Sequence, residues 1–308
     1  MSTTPEISVV MSVYNAAATL RETLGSVLRQ QDCEFEFVVI DDGSTDDTAQ
    51  ILDLCATADS RMRVCHQRNL GLTRALIRGC ELAVGEFIAR QDAGDVSLPG
   101  RLAVQADFLR ASPQVVMTAC GARFCGPMNE TLYEVRRPLL ELDTGLHGST
   151  IPTLTGPPHH GATMFRRQAY ARVGGYRAPF VVAQDLDLWL RLVEQGQCLG
   201  TDDVLYHARL DAGSISSQRR DEQFRLARLA LECREARLNS GSDTSTLAAA
   251  DTSIAPKRAP TRTERARFHY FVASCMRQRD PLAARAYYGA AVRENPLYLK
   301  ALIQLAIG

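Results

Sequence analysis

The feature that most constrains the fold is a repeated alternation in the first hundred residues. Short apolar runs at Ile7–Val13, 35–40 and from Phe87 onward read as strands, the second as a buried one, and Met62–His66 is a further short strand candidate. Between them, residues 19–31, Thr48–Ala58 and 71–84 have helical spacing. Leu20, Leu24, Val27 and Leu28 share one face of the first, and Leu72, Ala75, Leu76 and Leu82 one face of the third. Strand and helix alternating at this spacing mean βαβ units, a mainly parallel sheet flanked by helices and an α/β fold. Ligands of such sheets lie beyond the carboxyl ends of the strands. Here those ends carry Tyr14-Asn15, Asp41-Asp42 and Asp92 with Asp95. Each cluster alone reads equally well as turn or cap chemistry. Their falling on one edge is the stronger signal.

The stretch around residues 85–99 is the most informative. Phe87-Ile88-Ala89 runs into Gln91-Asp92-Ala93-Gly94-Asp95, and Leu98-Pro99 predicts a helix start with proline at or near its first turn. Carboxylates on a glycine-containing turn after a strand suit a hard cation. Mg²⁺ needs only one or two protein carboxylates when substrate phosphates complete its shell, and Mn²⁺ accepts the same oxygens. A solvated turn with an acidic helix start uses the same residues. No GxGxxG follows the first strand and no GxxxxGK[ST] occurs, which weighs against dinucleotide and P-loop sites.

Composition narrows the class. A formal net charge of +0 gives no electrostatic case for nucleic acid. No stretch approaches the ~20 apolar residues that span a bilayer, and the first residues have no basic segment of the secretory kind. Nine cysteines, an odd number with no CxxC pair, fit buried thiols in a reducing cytoplasm rather than disulfides or zinc.

Further along, residues 101–109 read as a helix, 115–120 as a strand and 124–151 as irregular. His159 and His160 precede an apolar run, where one or both could line a pocket, although a lone histidine there is more often structural than a metal ligand. Leu186, Trp189, Leu190 and Val193 follow helical spacing and belong to a core. Asp185 falls at the predicted N-cap of that helix, either as the cap, worth ~1 kcal/mol, or as a general base in a pocket. Residues 204–209 read as a late strand, Ser214 to Ser217 lead into an amphipathic helix over 218–238, and 239–263 reads as a Ser/Thr/Ala/Pro-rich linker. Residues 264–308 are helical, with Phe268, Phe271, Ala284, Tyr287, Tyr288, Ala291 and Leu297 setting the pattern.

Taken in order, ISVVMSVYNAAATLRETLGSVLRQ, FVVIDDGSTDDT, RNLGLTRALIRG, GEFIARQDAGD, MFRRQAYARVGGY and QDLDLWLRL resemble family 2 glycosyltransferases with the GT-A fold. The match covers residues 7–217. The resemblance implies inverting transfer of a sugar from a nucleotide-diphosphate sugar, UDP-linked by preference, to a hydroxyl of a glycan or lipid-linked acceptor in bacterial surface glycan synthesis. It places Val13, Tyr14, Asp41 and Asp42 on the nucleotide, with Asp42 the better acceptor for a base N–H, and adds Arg68, Asn69, Arg74 and Asp92 as donor contacts. The family's acidic signature is usually Asp-x-Asp, often DADD. Here it is Asp92-Ala93-Gly94-Asp95, so a Mg²⁺ or Mn²⁺ site rests on Asp92, with Asp95 taking over after a small backbone change. Asp185, after Gln184 instead of the usual Glu, matches the catalytic base. His160 and Trp189 fall on the acceptor side. A late Arg-x-His is common in the family; here Arg209 is kept and Asp211 stands at the histidine's place.

The implied organisation is a catalytic domain over 1–217, the helix 218–238, the linker 239–263, and a helical extension over 264–308 similar to a tetratricopeptide repeat. A single repeat cannot bury its own face, so the extension docks on the catalytic domain, meets a protein partner or self-associates. The expected location is cytoplasmic or peripheral at the inner membrane face. Two alternatives were weighed. One is a non-catalytic sugar-nucleotide-binding or adaptor protein, favoured by Gly94 and Gln184. The other is a nucleotidyltransferase, which the lack of a basic, Gly-rich loop after the first strand argues against.

Overall fold

The structure is a computed structural model that describes residues 4–213, 219–253 and 258–307. The expected run Ser214 to Ser217 and the helix start at 218 fall outside the described residues. The chain gathers into two compact units. The first takes residues up to Ala122, then Val135–Ala208 and Asp221–Ile254. The second takes Arg123–Glu134, Arg209–Arg220 and Ala255–Gly308.

In the first unit β1 (Ile7–Val13), α1 (Ala17–Leu28), β2 (Phe35–Asp41), α2 (Thr48–Ala58), β3 (Met62–His66), α3 (Leu72–Leu82) and β4 (Phe87–Asp92) follow in turn. β5 (Val96–Ser97), α4 (Arg101–Ala111), β6 (Val115–Cys125), α5 (Leu139–Leu146), β8 (Thr163–Arg166), α6 (Arg167–Arg172), α7 (Gln184–Leu192), β9 (Gln197–Arg209), α8 (Arg220–Ser240) and α9 (Thr244–Ala249) complete the order up to residue 249, while the end of β6 and nearly all of β7 (Thr131–Val135), which comes between β6 and α5, belong to the second unit. The strands run β3-β2-β1-β4-β8-β6-β9-β5 across the sheet. The first four are parallel, while β8 joins β4 and β6 antiparallel, as β5 does β9. Ser12 pairs with Asp92, Val13 with Asp41, and Asp41 with His66. The register thus lines up the carboxyl ends of β1 to β4, as the alternation predicts.

Side-chain alternation builds two cores from one sheet. Val9, Met11 and Val13 of β1 pack with Leu20, Leu24, Leu52 and Leu102 on one face. Val10 packs with Val38, Ile88, Leu76 and Leu188 on the other. Both faces being covered explains why β1 and β2 read as nearly continuous apolar runs.

Several expectations are refined. Residues 124–151 are not irregular throughout, because β7 and α5 form there. Pro99 lies directly before α4, whose N-cap is Gly100 in the left-handed region. α2 starts after Asp47. Ser44 and Thr45 tie the turn before it to Asn15, through a 3.0 Å bond from the Asn15 N–H to Ser44 Oγ and a 2.7 Å bond from the Thr45 N–H to Asn15 Oδ1. Within 239–263, α9 is present and Asp243 binds Arg177 at 2.7 Å.

In the second unit, α10 (Arg262–Met276), α11 (Pro281–Glu294) and α12 (Leu299–Ile307) follow one another. A capping box starts α10, in which Thr261 Oγ1 accepts from the Glu264 N–H and Glu264 Oε2 accepts from the Thr261 N–H at 2.7 Å. Asp280 caps α11, with Pro281 as its first residue. The helices bury Val272, Ala273, Met276, Ala284, Tyr288 and Ala291 against Leu132 of β7. Tyr133 stacks on Phe124 at 4.6 Å and meets Phe271 edge-on. The apolar face of the extension is therefore covered in part by a β-hairpin of the same unit. Leu132 is 1% exposed, so Leu132→Ala should destabilise this unit by about 2–5 kcal/mol. A lowered urea midpoint reported by Tyr or Phe burial checks this, and an unchanged midpoint would remove the hairpin from the core.

Candidate functional site

The site is built on the carboxyl edge of β1, β2 and β4, beginning beneath the acidic turn. Two buried arginines support that turn. Arg90, fully buried inside β4, donates to the Val10 carbonyl, to Asp92 Oδ1 at 2.7 Å and to His160 Nε2 at 3.3 Å. Arg101, equally buried, donates to Ser97 Oγ at 2.7 Å, Gln91 Oε1 at 3.2 Å and the Arg90 carbonyl at 2.7 Å. A buried charge is costly unless paired and hydrogen-bonded; Arg90 is paired with the Asp92 carboxylate, while neutral acceptors of this turn and its neighbours meet the hydrogen bonds of Arg101.

Tyr206 of β9 is the other organiser. Its hydroxyl donates to Asp95 Oδ2 at 3.0 Å and accepts from the Asp92 N–H at 3.1 Å. Its ring takes the Arg101 guanidinium on one side, 5.0 Å from the centroid, and stacks with His159 at 5.4 Å. Gly161 is needed beside it, because a Cβ there would lie 2.0 Å from the Tyr206 hydroxyl oxygen.

These supports bring Asp92, Asp95 and His159 together. His159 Nδ1 lies 3.6 Å from Asp95 Oδ2 and 3.8 Å from Asp92 Oδ2. One ligand atom from each of the three falls within 4.8 Å of the others. Burial works to raise the Asp92 carboxyl, but nearby positive charge, the Arg90 guanidinium first, outweighs it and holds the group below the ordinary carboxylate range. Two carboxylates and an imidazole make a donor set that fits a divalent cation of the Mg²⁺ or Mn²⁺ kind. Asp95 is part of the same cluster. Gly94, at φ +98°, turns the chain between them and donates its N–H to Thr23 Oγ1 at 3.1 Å.

Asp185 lies two residues past Ala183, the left-handed N-cap of α7. It is therefore not the N-cap itself, and its carboxylate accepts from the Leu186 N–H at 2.9 Å. Burial raises its pKa and the Asp92 charge adds to the effect. The helix behind it is fixed by Asp187, which binds Arg191 at 2.6 Å and Arg177 Nε at 3.1 Å.

His160 is buried between Arg90 and Tyr176, whose hydroxyl lies 2.6 Å from Nε2. Burial, helped by Arg90, drives its pKa down to about 3. It is neutral, with Nε2 accepting from both donors and the proton on Nδ1. Trp189 meets His160 edge-on at 6.1 Å, and its buried Nε1–H has no hydrogen-bond partner among the described residues.

At the other end of the edge, Asp42 accepts from Gln67 Nε2 at 2.7 Å and from the Leu70 and Gly71 N–H groups at 2.8 Å each. It thereby anchors the loop that starts α3, and three of about four acceptor positions on its carboxylate are taken. Asp41 accepts from the Ser44 N–H at 3.0 Å and pairs with His66 Nδ1 at 2.8 Å, while His66 Nε2 lies 3.1 Å from Asp53. Those two carboxylates raise the His66 pKa. Val13 is buried, Tyr14 is 46% exposed, and Arg68, Asn69 and Arg74 are exposed on the neighbouring loop and helix.

The sequence reading missed Arg90, Arg101, Gln91 and Tyr206. A signal was present for one of them, since arginine within Phe87-Ile88-Ala89-Arg90 is a charge in a buried parallel strand and needs a buried partner. Tyr206 lies over a hundred residues from the carboxylate it holds, and no local pattern marks it.

A sheet with a parallel half, an acidic turn at the end of β4 and an acidic start to α7 matches the GT-A glycosyltransferase class. The family described as Glycosyl transferase family 2 matches residues 8–174, and the chain belongs to that family as a glycosyltransferase. EpsE of Bacillus subtilis, named as a glycosyltransferase, is 31% identical over 229 residues, 70% of this chain and 77% of EpsE. TuaG of the same organism, named for teichuronic acid biosynthesis, is 28% identical over 70% of this chain and 83% of its own length. Staphylococcus aureus TarS 1–349, solved with UDP-GlcNAc, has the same fold at a TM-score of 0.61 and 18% identity, covering 97% of this chain and 88% of TarS 1–349. The mannosyltransferase PcManGT of Pyrobaculum calidifontis, solved with GDP-Man and Mn²⁺, gives 0.55 at 20% identity over 100% of this chain and 80% of its own.

Tyr206→Phe keeps the ring stack and removes the hydroxyl that joins Asp92 to Asp95. It leaves a buried N–H unpaired and should cost about 1–3 kcal/mol. Melting measured beside nucleotide binding checks this, with both expected to weaken.

Proposed function

We propose that the chain transfers a sugar from a nucleoside-diphosphate sugar to an acceptor hydroxyl with inversion, in the synthesis of a bacterial surface polysaccharide. The observation that carries the reading is the convergence of Asp92, Asp95 and Asp185 at the carboxyl edge of a parallel sheet. The UDP-GlcNAc and GDP-Man complexes of proteins with this fold support a nucleotide-sugar donor, with UDP our choice. The names of EpsE and TuaG place relatives among glycosyltransferases and in teichuronic acid synthesis, which supports a glycan or lipid-linked acceptor.

In this reading the nucleotide lies along Val13, Tyr14 and the Asp42-anchored loop, with Arg68, Asn69 and Arg74 at its rim. Asp42 has an acceptor position left for a base N–H. Asp41 holds the turn through Ser44 and His66 rather than meeting the base directly. Asp92 and Asp95 hold a divalent cation, which when bound offsets charge developing on the leaving diphosphate. Asp185 accepts the proton of the attacking hydroxyl, on the side of the sugar opposite the diphosphate. One displacement then inverts the anomeric centre. Neutral His160, locked by Arg90 and Tyr176, shapes the acceptor side with Trp189 and takes no proton at working pH. We further propose that residues 1–217 form the catalytic domain and that 264–308 serve a protein contact. No helix among the described residues is long and apolar enough to cross a membrane, and we place the enzyme in the cytoplasm, working at the inner membrane face.

The burial that raises Asp185 makes it a better base and a stability cost. Its folded pKa lies above the unfolded value, so the folded state binds the proton more tightly. Stability is then fully present below the unfolded pKa and falls as pH rises through the folded one. At neutral pH the ionised carboxylate destabilises the fold. Asp185→Asn should therefore lower kcat by about 10²–10⁴ while raising the melting temperature at pH 7. Turnover of a UDP-sugar panel read beside calorimetry checks both, and a variant of undiminished activity sinks the assignment of the base. Proton NMR of the product tests inversion, since retention at the anomeric carbon contradicts a single displacement.

A further inference from the structure

The acidic turn lacks a side chain at its middle position. Gly94 sits at φ +98°, and its N–H is already given to Thr23. Two carboxylates remain, one on each side, and the third donor facing them is His159 Nδ1 at 3.6 and 3.8 Å. Neighbouring ligands of an octahedral ion at about 2.1 Å stand about 3 Å apart. The histidine nitrogen therefore needs to close on each carboxylate by less than an ångström around an ion.

His159 is held for this. Its ring stacks on Tyr206, the residue that also fixes Asp95 and the Asp92 amide. The Gly161 N–H donates to His159 Nδ1 at 3.1 Å. That bond keeps a lone pair, not a proton, on the nitrogen facing the carboxylates. It fixes the tautomer able to ligate, and an ion would take the lone pair over from the amide.

We propose that His159 supplies a nitrogen ligand where position 94 offers no carboxylate, so that the site selects first-row transition ions, Mn²⁺ and Co²⁺, over Mg²⁺. The proposal rests on the reading that Asp92 and Asp95 hold the cation. Its chemistry is the preference of ligand types, since oxygen-only sets suit Mg²⁺ and Ca²⁺ whereas imidazole favours the transition series. The Asp carboxylates keep Mn²⁺ within the same set.

The test uses the full chain, freed of metal, with saturating UDP. Mn²⁺, Co²⁺ and Mg²⁺ are titrated calorimetrically into wild type, His159→Gln and Asp92→Asn. Glutamine keeps an acceptor for the Gly161 amide and removes the ring nitrogen. The expected result is tighter binding of Mn²⁺ and Co²⁺ than of Mg²⁺ in wild type. His159→Gln should lose about tenfold for the transition ions, at the low end of losses seen even for outer partners, and little for Mg²⁺. Pulsed EPR on the wild-type Mn²⁺ complex should show a directly bound ¹⁴N, a readout that stands even where the variant fails to fold. Absence of that nitrogen, or equal weakening of all three ions in His159→Gln, overturns the proposal. If Asp92→Asn still abolishes binding, the carboxylate site survives that failure. Wild type binding no ion in the presence of UDP overturns both.

Discussion

The structure depends on the burial of the Arg90 guanidinium under the acidic turn. A full positive charge inside a parallel strand costs several kcal/mol unless its hydrogen bonds are met. Arg90 meets them with the carbonyl of β1, the carboxylate that ends β4, and the histidine that enters β8. One side chain thus ties three strands of the sheet to the group that faces the ligand. The Asp92 carboxylate is held ionised and directed, with Oδ1 given to Arg90 and Oδ2 left on the His159 side. Stability and function meet in that pair, because removing either partner leaves a buried charge uncompensated.

The rest of the site repeats this arrangement with other chemistry. Arg101 binds the backbone of β4 from below, and Tyr206 joins the Asp95 carboxylate to the Asp92 amide from the side. Asp42 does for the α3 loop what Arg90 does for the turn, spending three hydrogen bonds to fix a backbone path. Asp185 is the exception. Its carboxylate accepts one local amide and is pushed upward by burial. A group left costly by its surroundings among groups that are well satisfied is a mark of chemistry rather than packing.

The parallel half of the sheet was legible because β1, β2 and β4 are buried on both faces and the helices between the strands are amphipathic, so period and composition agree. The aligned carboxylates were legible for the same reason, since strand ends in a parallel sheet share an edge. What local patterns did not show is what distant segments contribute. Tyr206 reaches Asp95 from β9, and His159 reaches the turn from the loop before β8, although its pairing with His160 in sequence did draw notice. The hairpin of residues 123–134 was hidden by its glycine, proline and charge, which are the residues of its turn, while Leu132 and Tyr133 pack on helices well over a hundred residues later. The position of Asp185 was misjudged by two residues because Ala183 takes the left-handed cap conformation that asparagine or glycine usually fills.

The central claim is that the carboxyl edge of β1, β2 and β4 holds the donor through Asp92 and Asp95. A crystal structure with UDP and Mn²⁺, collected at the manganese absorption edge, tests it most directly. The account predicts one anomalous peak bonded to Asp92 and Asp95, with the diphosphate completing the shell and the base beside the Asp42 loop. A peak bonded to neither carboxylate, or a nucleotide seated away from this edge, would contradict it.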